Sequence, residues 1–327
     1  MERMAEAERP TVAEVGEEAV LARIFPRLPA TDAALLGPGD DAAVLSAPDG
    51  RYVVTTDLLV HGPDFRWEFS SPVDLGWKAA ATNLSDVAAM GARPTALVVA
   101  LAAPQSTPVA VLEGVADGLR YACGALAPGC GVVGGDLSAS EVFTIAVTAF
   151  GDLEGRAPVT RSGARAGDVV AVAGELGVAA RGLRLLFERG LEAAREADRH
   201  AVSRQLQPMP PIALGPLAAQ AGASAMLDLS DGLALDARRL ARASGVDVDF
   251  DARALGDMPE AAYEALTGGE DHALLATFPR AAALPAGFRA IGSVREPQGA
   301  PRLLVDGAEF GERGGWDPYA QWDGRLS

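Results

Sequence analysis

Apolar and small residues recur along this chain with two periods, and the change from one to the other marks out its elements. Between Ser71 and Met90, the residues Leu75, Ala79, Thr82 or Asn83, Asp86 and Met90 share one helical face. Ser71 fits the N-cap, Pro72 the first helical position, Asp74 the first turn and Gly91 the stop. The run Thr95–Leu101, TALVVAL, is too short and too β-branched for more helix and predicts a buried strand. One position of this unit is discordant. Asp86 puts a carboxylate on a face that is otherwise apolar or small, where it has to be hydrogen-bonded, paired or metal-bound. From the helix alone, local hydrogen bonding accounts for it as well as a functional role does.

The same patterns extend to the rest of the chain. Thr11 to about Leu28 reads as an amphipathic helix opened by a Thr11–Glu14 capping box and ended by Pro26 and Pro29. A loop over 37–41, a strand over 42–45, a turn at Pro48–Gly50 and a strand over 51–57 follow. After the 71–101 unit come a helix over 107–127, a short strand at Gly131 running into a loop by Asp136, and a strand Val142–Gly151. The texture then turns rich in Gly, Arg and Ala over Gly151–Gly167, which places a domain boundary there and predicts domains 1–155 and 156–327. Beyond it the pattern gives a strand over 169–174, helices over 177–189 and 195–207, and a short helix within 209–222. A strand over 225–230, a helix over 231–244 stopped by Gly245, and a strand over 246–251 follow. The helix Glu260–Leu266 and a loop at Gly268–His272 leading into a strand close the pattern. The tripeptide Leu-Ser-Asp occurs at 84–86 and 229–231, one in each half and each followed by a helix and then a strand, a weak hint of related halves. The expected class is mixed α+β, two domains, each a mixed sheet packed with helices.

Composition narrows the functions. At 327 residues with 49% hydrophobic content the chain can bury a real core. A net charge of −16 argues against nucleic acid and anionic membrane surfaces as partners. No segment approaches the roughly 18 apolar residues of a membrane span, and the acidic N-terminus has no signal-peptide core, so a cytoplasmic protein is expected. Cys123 and Cys130 match no zinc spacing and read as thiols of a reducing compartment, with a disulfide as the alternative. Lys78 is the only lysine and lacks the glycine-rich context of a P-loop; no Rossmann fingerprint is present either.

Candidate chemistry lies in acidic residues at element ends. These are Asp40-Asp41, Asp57 after Thr55-Thr56, Asp86, Asp136 after two glycines, Asp228, Asp231 and Glu270-Asp271. Each alone has a structural explanation: Asp231 as an N-cap, Asp40 and Asp41 in an Asx-type turn. Together, as hard oxygen donors without cysteine or histidine, they suit several magnesium ions holding phosphates. Hydroxyls of Thr55, Thr56 and Ser230 add neutral ligands or phosphate contacts, and the amides of Gly134-Gly135 and Gly268-Gly269 allow close approach to a ligand. Arg161 reads either as a phosphate ligand or as a solvated surface residue. His61, His200 and His272 form no Ser/His/Asp order; His200 is expected on an exposed helix and His272 at a strand start. A phosphate nucleophile, with its second pKa of about 6, needs no strong base, only positioning and charge neutralisation.

The segments GPGDDAAVL, TTDLLV, KAAATNLSDVAAMGARP, VVGGD, VTRSG, DLSDGLALD and GGEDHAL, in this order from about Ala34 onward, resemble the thiamine-monophosphate kinases. These belong to the superfamily of aminoimidazole ribonucleotide synthetase-like ATP-binding proteins. The resemblance implies transfer of the ATP γ-phosphate to thiamine monophosphate, and a homodimer whose N-terminal domains close a β-barrel. It implies magnesium ligands at Asp41, Thr55, Thr56, Asp57, Asp86, Asp136, Asp228 and Asp231. Asp41 is favoured over Asp40 because neighbours in extended chain point oppositely. It implies ATP contacts at Gly135, Asp136, Arg161 and Ser230, and substrate contacts at Glu270 and at Trp316, which would stack on a thiamine ring. One position departs from the family pattern: Asp64 stands where a histidine is usual, with His61 three residues earlier. Another ATP-dependent superfamily activity, or a non-catalytic nucleotide-binding maturation protein, is the competing expectation.

Overall fold

The computed structural model describes residues 10–36, 43–256 and 258–315. The capping box forms as expected, with Thr11 and Glu14 bonded reciprocally. The first helix, expected to be continuous over 11–28, is instead broken. Gly16 separates α1 (Val12–Val15) from α2 (Glu17–Ile24), and one 3₁₀ turn, Phe25–Arg27, follows. A two-stranded ribbon of β1 (Ala34–Leu36) and β2 (Val44–Leu45) precedes β3 (Val53–Val60). Helix α3 (Pro72–Ala89) starts at the Ser71 N-cap, where Ser71 and Asp74 again bond reciprocally, and ends before Gly91. Then come β4 (Arg93–Ala103), α4 (Val109–Leu126), β5 (Gly131–Ala139) and β6 (Thr144–Asp152).

The N-terminal sheet has the order β3-β6-β4-β5, with β4 and β5 parallel and the other pairs antiparallel. It is open, and among the described residues no barrel closes. Strand β5 does not stop before Asp136, as the glycines suggested. It continues to Ala139 because it follows β4 through Ala103, with one bulge near Val133. One face of the sheet carries α3 and α4, and between them lies the first core, built around Leu75, Leu84, Leu97, Leu112, Leu119 and Ile145. The other face leaves Val54 and Leu58 exposed.

The second half begins with β7 (Val169–Ala173) and α5 (Val178–Arg189). The helix expected over 195–207 is split in two, α6 (Leu191–Ala197) and α7 (Arg199–Leu206), because Asp198 leaves helical geometry and caps α7 through Ala201 N. Next are α8 (Leu214–Gln220), β8 (Ala225–Leu229), α9 (Leu233–Ser244), β9 (Asp247–Phe250), α10 (Ala252–Leu255) and α11 (Pro259–Thr267). Strands β10 (Ala273–Phe278), β11 (Phe288–Arg295), β12 (Leu303–Val305) and β13 (Ala308–Glu309) follow. Their sheet runs β13-β12-β9-β11-β7-β10-β8 and is antiparallel except for β9 with β12. Both halves are thus mixed sheets packed with helices. Among the described residues no helix is long and apolar enough to cross a membrane.

Helix α3 joins the halves. It packs on β3, β4 and β6 and also touches β8, β10, α7 and α8. Trp77 Nε1 donates to Pro208 O at 2.7 Å and Gln207 Nε2 to Asp74 Oδ1 at 2.6 Å. On the other side its backbone nearly touches that of α4. A Cβ on Gly76 would stand 2.0 Å from Val115 O, and one on Gly118 would stand 2.2 Å from Val73 O. The two helices can cross this closely only with glycine at both points. Gly118→Ala is therefore expected to push α4 off α3 and cost about 1–3 kcal/mol. A thermal melt against wild type checks this; an unchanged midpoint would mean that the crossing yields freely.

Candidate active site

Strand alternation sorts the Thr55-Thr56-Asp57 run. Thr55 and Asp57 face α3, whereas Thr56 faces the open side of the sheet, where its hydroxyl donates to Val147 O at 3.0 Å and meets Thr148. On α3, Asp86 accepts from Thr55 Oγ1 at 2.8 Å, and Asn83, one turn earlier, accepts from Asp57 N at 3.0 Å. The helix therefore fixes its own carboxylate and the strand that carries the next one.

The C-terminal half supplies the other side. Asp228 ends β8 in a buried position, 3.3 Å from His272 Nδ1. Asp231 was a candidate N-cap for α9, but the cap position belongs to Gly232. The Asp231 carboxylate instead pairs with Arg239 at 2.7 Å, and Arg239 also holds the buried Asp236. The Gly268–His272 loop lies over this turn: Glu270 N donates to Ser230 O at 2.8 Å and His272 N to Leu229 O at 3.1 Å. Ser85 on α3 donates to His272 O at 3.2 Å, which ties the loop to the first half. Glu270 and His272 both hold left-handed backbone, φ 66° and 51°. Non-glycine residues adopt this only where the surroundings enforce it.

Electrostatics shows how tightly these groups converge. Burial, then the charges of Asp228 and Asp57, push Asp86 up to about 7. Burial likewise raises Asp57, with Asp228 and Asp231 adding to it and His272 and Thr82 opposing. Two carboxylates from each half therefore converge, Asp57, Asp86 and Asp228 largely desolvated and Asp231 partly exposed beside Arg239. For the His272 imidazole, burial works to lower its pKa, but the hydrogen bond and charge of Asp228, with Glu270, prevail and raise it.

Beside this group lies a second one. Lys78, buried on α3, meets Glu270 Oε1 at 2.8 Å, and Gln205 Nε2 on α7 donates to Glu270 Oε2. Burial would raise the Glu270 pKa; the charge and hydrogen bond of Lys78, with Gln205 and His272, hold it below the usual range. Asp64 folds back so that its carboxylate accepts from Val60 N at 2.7 Å. Burial raises its pKa, as do Glu270 and Asp57, while Val60 N and Lys78 oppose. Asp64 thus sits between the two groups. His61 turns the other way and packs against Phe65 and Trp67 with ring centroids 5.4 and 6.1 Å apart.

The structure brings Thr55, Asp57, Asp64, Asp86, Asp228, Asp231, Ser230 and Glu270 together. Thr56 lies across the sheet from them. Asp136 is exposed on β5, where it accepts from Ser138 at 2.9 Å rather than from a loop. Gly135 is demanded by β4, whose Val99 O would lie 1.9 Å from a Cβ, and Gly269 by Ser230 O at 2.8 Å. Arg161 is exposed in the connection between the halves. Asp41 and Trp316 lie outside the described residues. His200 is half-exposed, as expected, and bonds to Glu175 at 2.6 Å. His272 does not simply start a strand: it is buried against Asp228. Lys78, Asn83, Gln205, Arg239 and His272 are site residues that the pattern of acidic ends left out. The one available signal was Lys78 itself, a lone lysine two turns before Asp86 on the same apolar helix. Asp271 also faces inward, but its carboxylate accepts from Gly177 N and Ala179 N at 2.6 and 2.8 Å, so it caps α5.

Among the described residues no three carboxylate, imidazole or thiolate groups form a ready-made metal cage. The site holds instead an excess of buried negative charge on hard oxygen donors. That fits magnesium, which keeps several waters and shares its shell with phosphates rather than filling an all-protein cage.

The model of the AIR synthase related protein N-terminal domain matches residues 39–153, and that of the C-terminal domain residues 165–295. A thiamine-monophosphate kinase of Mycobacterium tuberculosis is 47% identical, over 98% of this chain and 96% of that protein. One of Corynebacterium glutamicum is 38% identical over 95% of each. The solved structure of AaThiL complexed with AMPPCP and TMP is similar at 34% identity and a TM-score of 0.73, covering 80% of this chain and 86% of that one.

Removing one of the convergent charges separates fold from function. Asp86→Asn is expected to melt no lower than wild type in metal-free buffer, since a desolvated like charge is gone. Turnover should fall by about 100-fold, the loss expected on removing a carboxylate that would hold a catalytic cation. Steady-state kinetics beside a melting curve checks both; full activity would make Asp86 structural only.

Proposed function

The chain belongs to the thiamine-monophosphate kinases of the AIR synthase related family, and we propose that it passes the γ-phosphate of ATP directly, in line, to the phosphate of thiamine monophosphate. It is an ATP-dependent phosphotransferase. The observation that carries the finer reading is the convergence of Asp57, Asp86, Asp228 and Asp231, two from each half, on one partly desolvated space. Such a cluster needs cations, and a donor and an acceptor phosphate both need their charge neutralised to approach one another.

In this reading Asp57, Asp86, Asp228 and Asp231, with Thr55 and Asp41, hold several magnesium ions. Bound magnesium supplies charge neutralisation and a template for the two phosphates. Asn83 keeps Asp57 in place, and His272 keeps Asp228 in place. Gly135, Asp136, Arg161 and Ser230 serve ATP. Asp64 and Glu270 face the cationic thiazolium of the substrate, with Trp316 stacking on a ring. No side chain has to act as a strong base, because the acceptor phosphate is already ionised near neutrality, its second pKa being about 6. Residues 1–155 then form the ATP, magnesium and dimerisation domain, and 156–327 complete the site.

The open face of the N-terminal sheet supports a homodimer. Val54 and Leu58 are 59% and 54% exposed on it, on either side of Thr56. A second copy of the sheet laid against this face would cover them and close a barrel. It would also change the surroundings of Thr56 and Asp136. Two free thiols and a dependence on ATP fit the cytoplasm.

Purified protein given ATP, magnesium and thiamine monophosphate is expected to form thiamine diphosphate and ADP in equal amounts. With chiral γ-phosphate, in-line transfer inverts the phosphorus centre. Retention would point to a phosphoenzyme, and no product from folded protein would overturn the whole reading.

A further inference from the structure

Gln205 has an unfinished bond. It is 4% exposed on α7, and its amide nitrogen is committed to Glu270, but its carbonyl Oε1 is buried without a hydrogen-bond partner. The orientation of the amide is not ambiguous. Flipping it would set its oxygen against a carboxylate that Lys78 and Gln205 together keep ionised. A buried acceptor left vacant is costly, and native structures leave few of them. Its neighbour Glu270 is one-third exposed at the side chain, so a ligand can reach Glu270, while Gln205 Oε1 beside it is closed to solvent until the amide or the loop shifts. Glu270 is also held in left-handed backbone, the kind of strain that collects at ligand sites.

We propose that Gln205 is a specificity-determining residue whose Oε1 accepts a hydrogen bond from the exocyclic amine of the substrate's aminopyrimidine. This rests on the kinase reading above. The match is one of chemistry. Apart from its phosphate, thiamine monophosphate has one N–H donor group, that amine; the thiazolium nitrogen is quaternary. The order of groups in the site agrees with the order of groups in the molecule. The carboxylates for metal and phosphate come first, then Asp64 and Glu270 beside the cationic ring, then Gln205 behind Glu270. Lys78 acts through Glu270: by satisfying one carboxylate oxygen it leaves the other to orient the Gln205 amide.

The test compares thiamine monophosphate with an analogue whose pyrimidine amine is replaced by hydrogen, on wild type and on Gln205→Met. Wild type is expected to show a KM for the analogue about tenfold or more higher, since the analogue leaves the buried acceptor unpaired. In Gln205→Met the KM for the natural substrate rises by a similar factor, kcat stays close to wild type, and the two substrates become equivalent. A merely structural role would lower kcat and stability without erasing the discrimination. If wild type handles both substrates alike, or the variant still discriminates, the inference fails and a buried water is the partner of Oε1. The wild-type comparison decides by itself if Gln205→Met does not fold. Absence of any thiamine diphosphate from wild type would instead overturn the kinase reading.

Discussion

Four carboxylates converge from the two halves, one buried and three half-buried, and the supports around them have to hold like charges together. Asp57 and Asp86 come from one half, Asp228 and Asp231 from the other; burial, then the charges of Asp228 and Asp57, take Asp86 up to about 7. Groups that repel one another stay close only if their supports are stiff. Helix α3 provides this by being buried along most of its length between two sheets and against α4 at a glycine crossing. Its alanines let neighbouring backbones approach. Lys78, Arg239 and the His272 imidazole each hold an individual carboxylate of this group.

The ion pair between Lys78 and Glu270 shows the balance that such a site requires. Burying a lysine is unfavourable unless its charge is matched. Here the match comes from the opposite half of the chain, 192 residues away. The pair is therefore weak evidence for stability and strong evidence for register. It locks the Gly268–His272 loop at one height on α3, and the same loop aims His272 at Asp228.

Much of the frame was legible from residue patterns. The cap at Ser71, the stop at Gly91 and the odd aspartate between them all stand where spacing put them. So do the acidic residues at Asp228 and Glu270, whereas Asp57, expected to end its strand, lies within β3, which runs on to Val60 along β6. What pattern could not supply was set by long-range packing. Gly16 and Asp198 break helices whose periodicity runs straight through them. Asp136 reads as a loop residue after two glycines, yet β4 extends far enough to keep it in a strand. Thr56 was separated from Thr55 only by pleat, a face-or-back distinction that needs the sheet in place. Asp231 looked like an N-cap because a helix follows it; the position of Arg239 about two helical turns later diverts the carboxylate. Gln205 gives no local signal at all, since its partner lies in another part of the chain.

The cap on α5 has a consequence in time. The first turn of that helix depends on Asp271, whose carboxylate bonds Gly177 N from 94 residues downstream. During synthesis α5 leaves the ribosome long before its acceptor exists, at a pace of about 5–20 residues per second. Its N-terminus therefore waits several seconds, uncapped, for a loop that forms only when β10 pairs beside β7 and β8. The helix start and the Gly268–His272 loop depend on the same long-range pairing, so a half-made chain never presents the assembled carboxylate group.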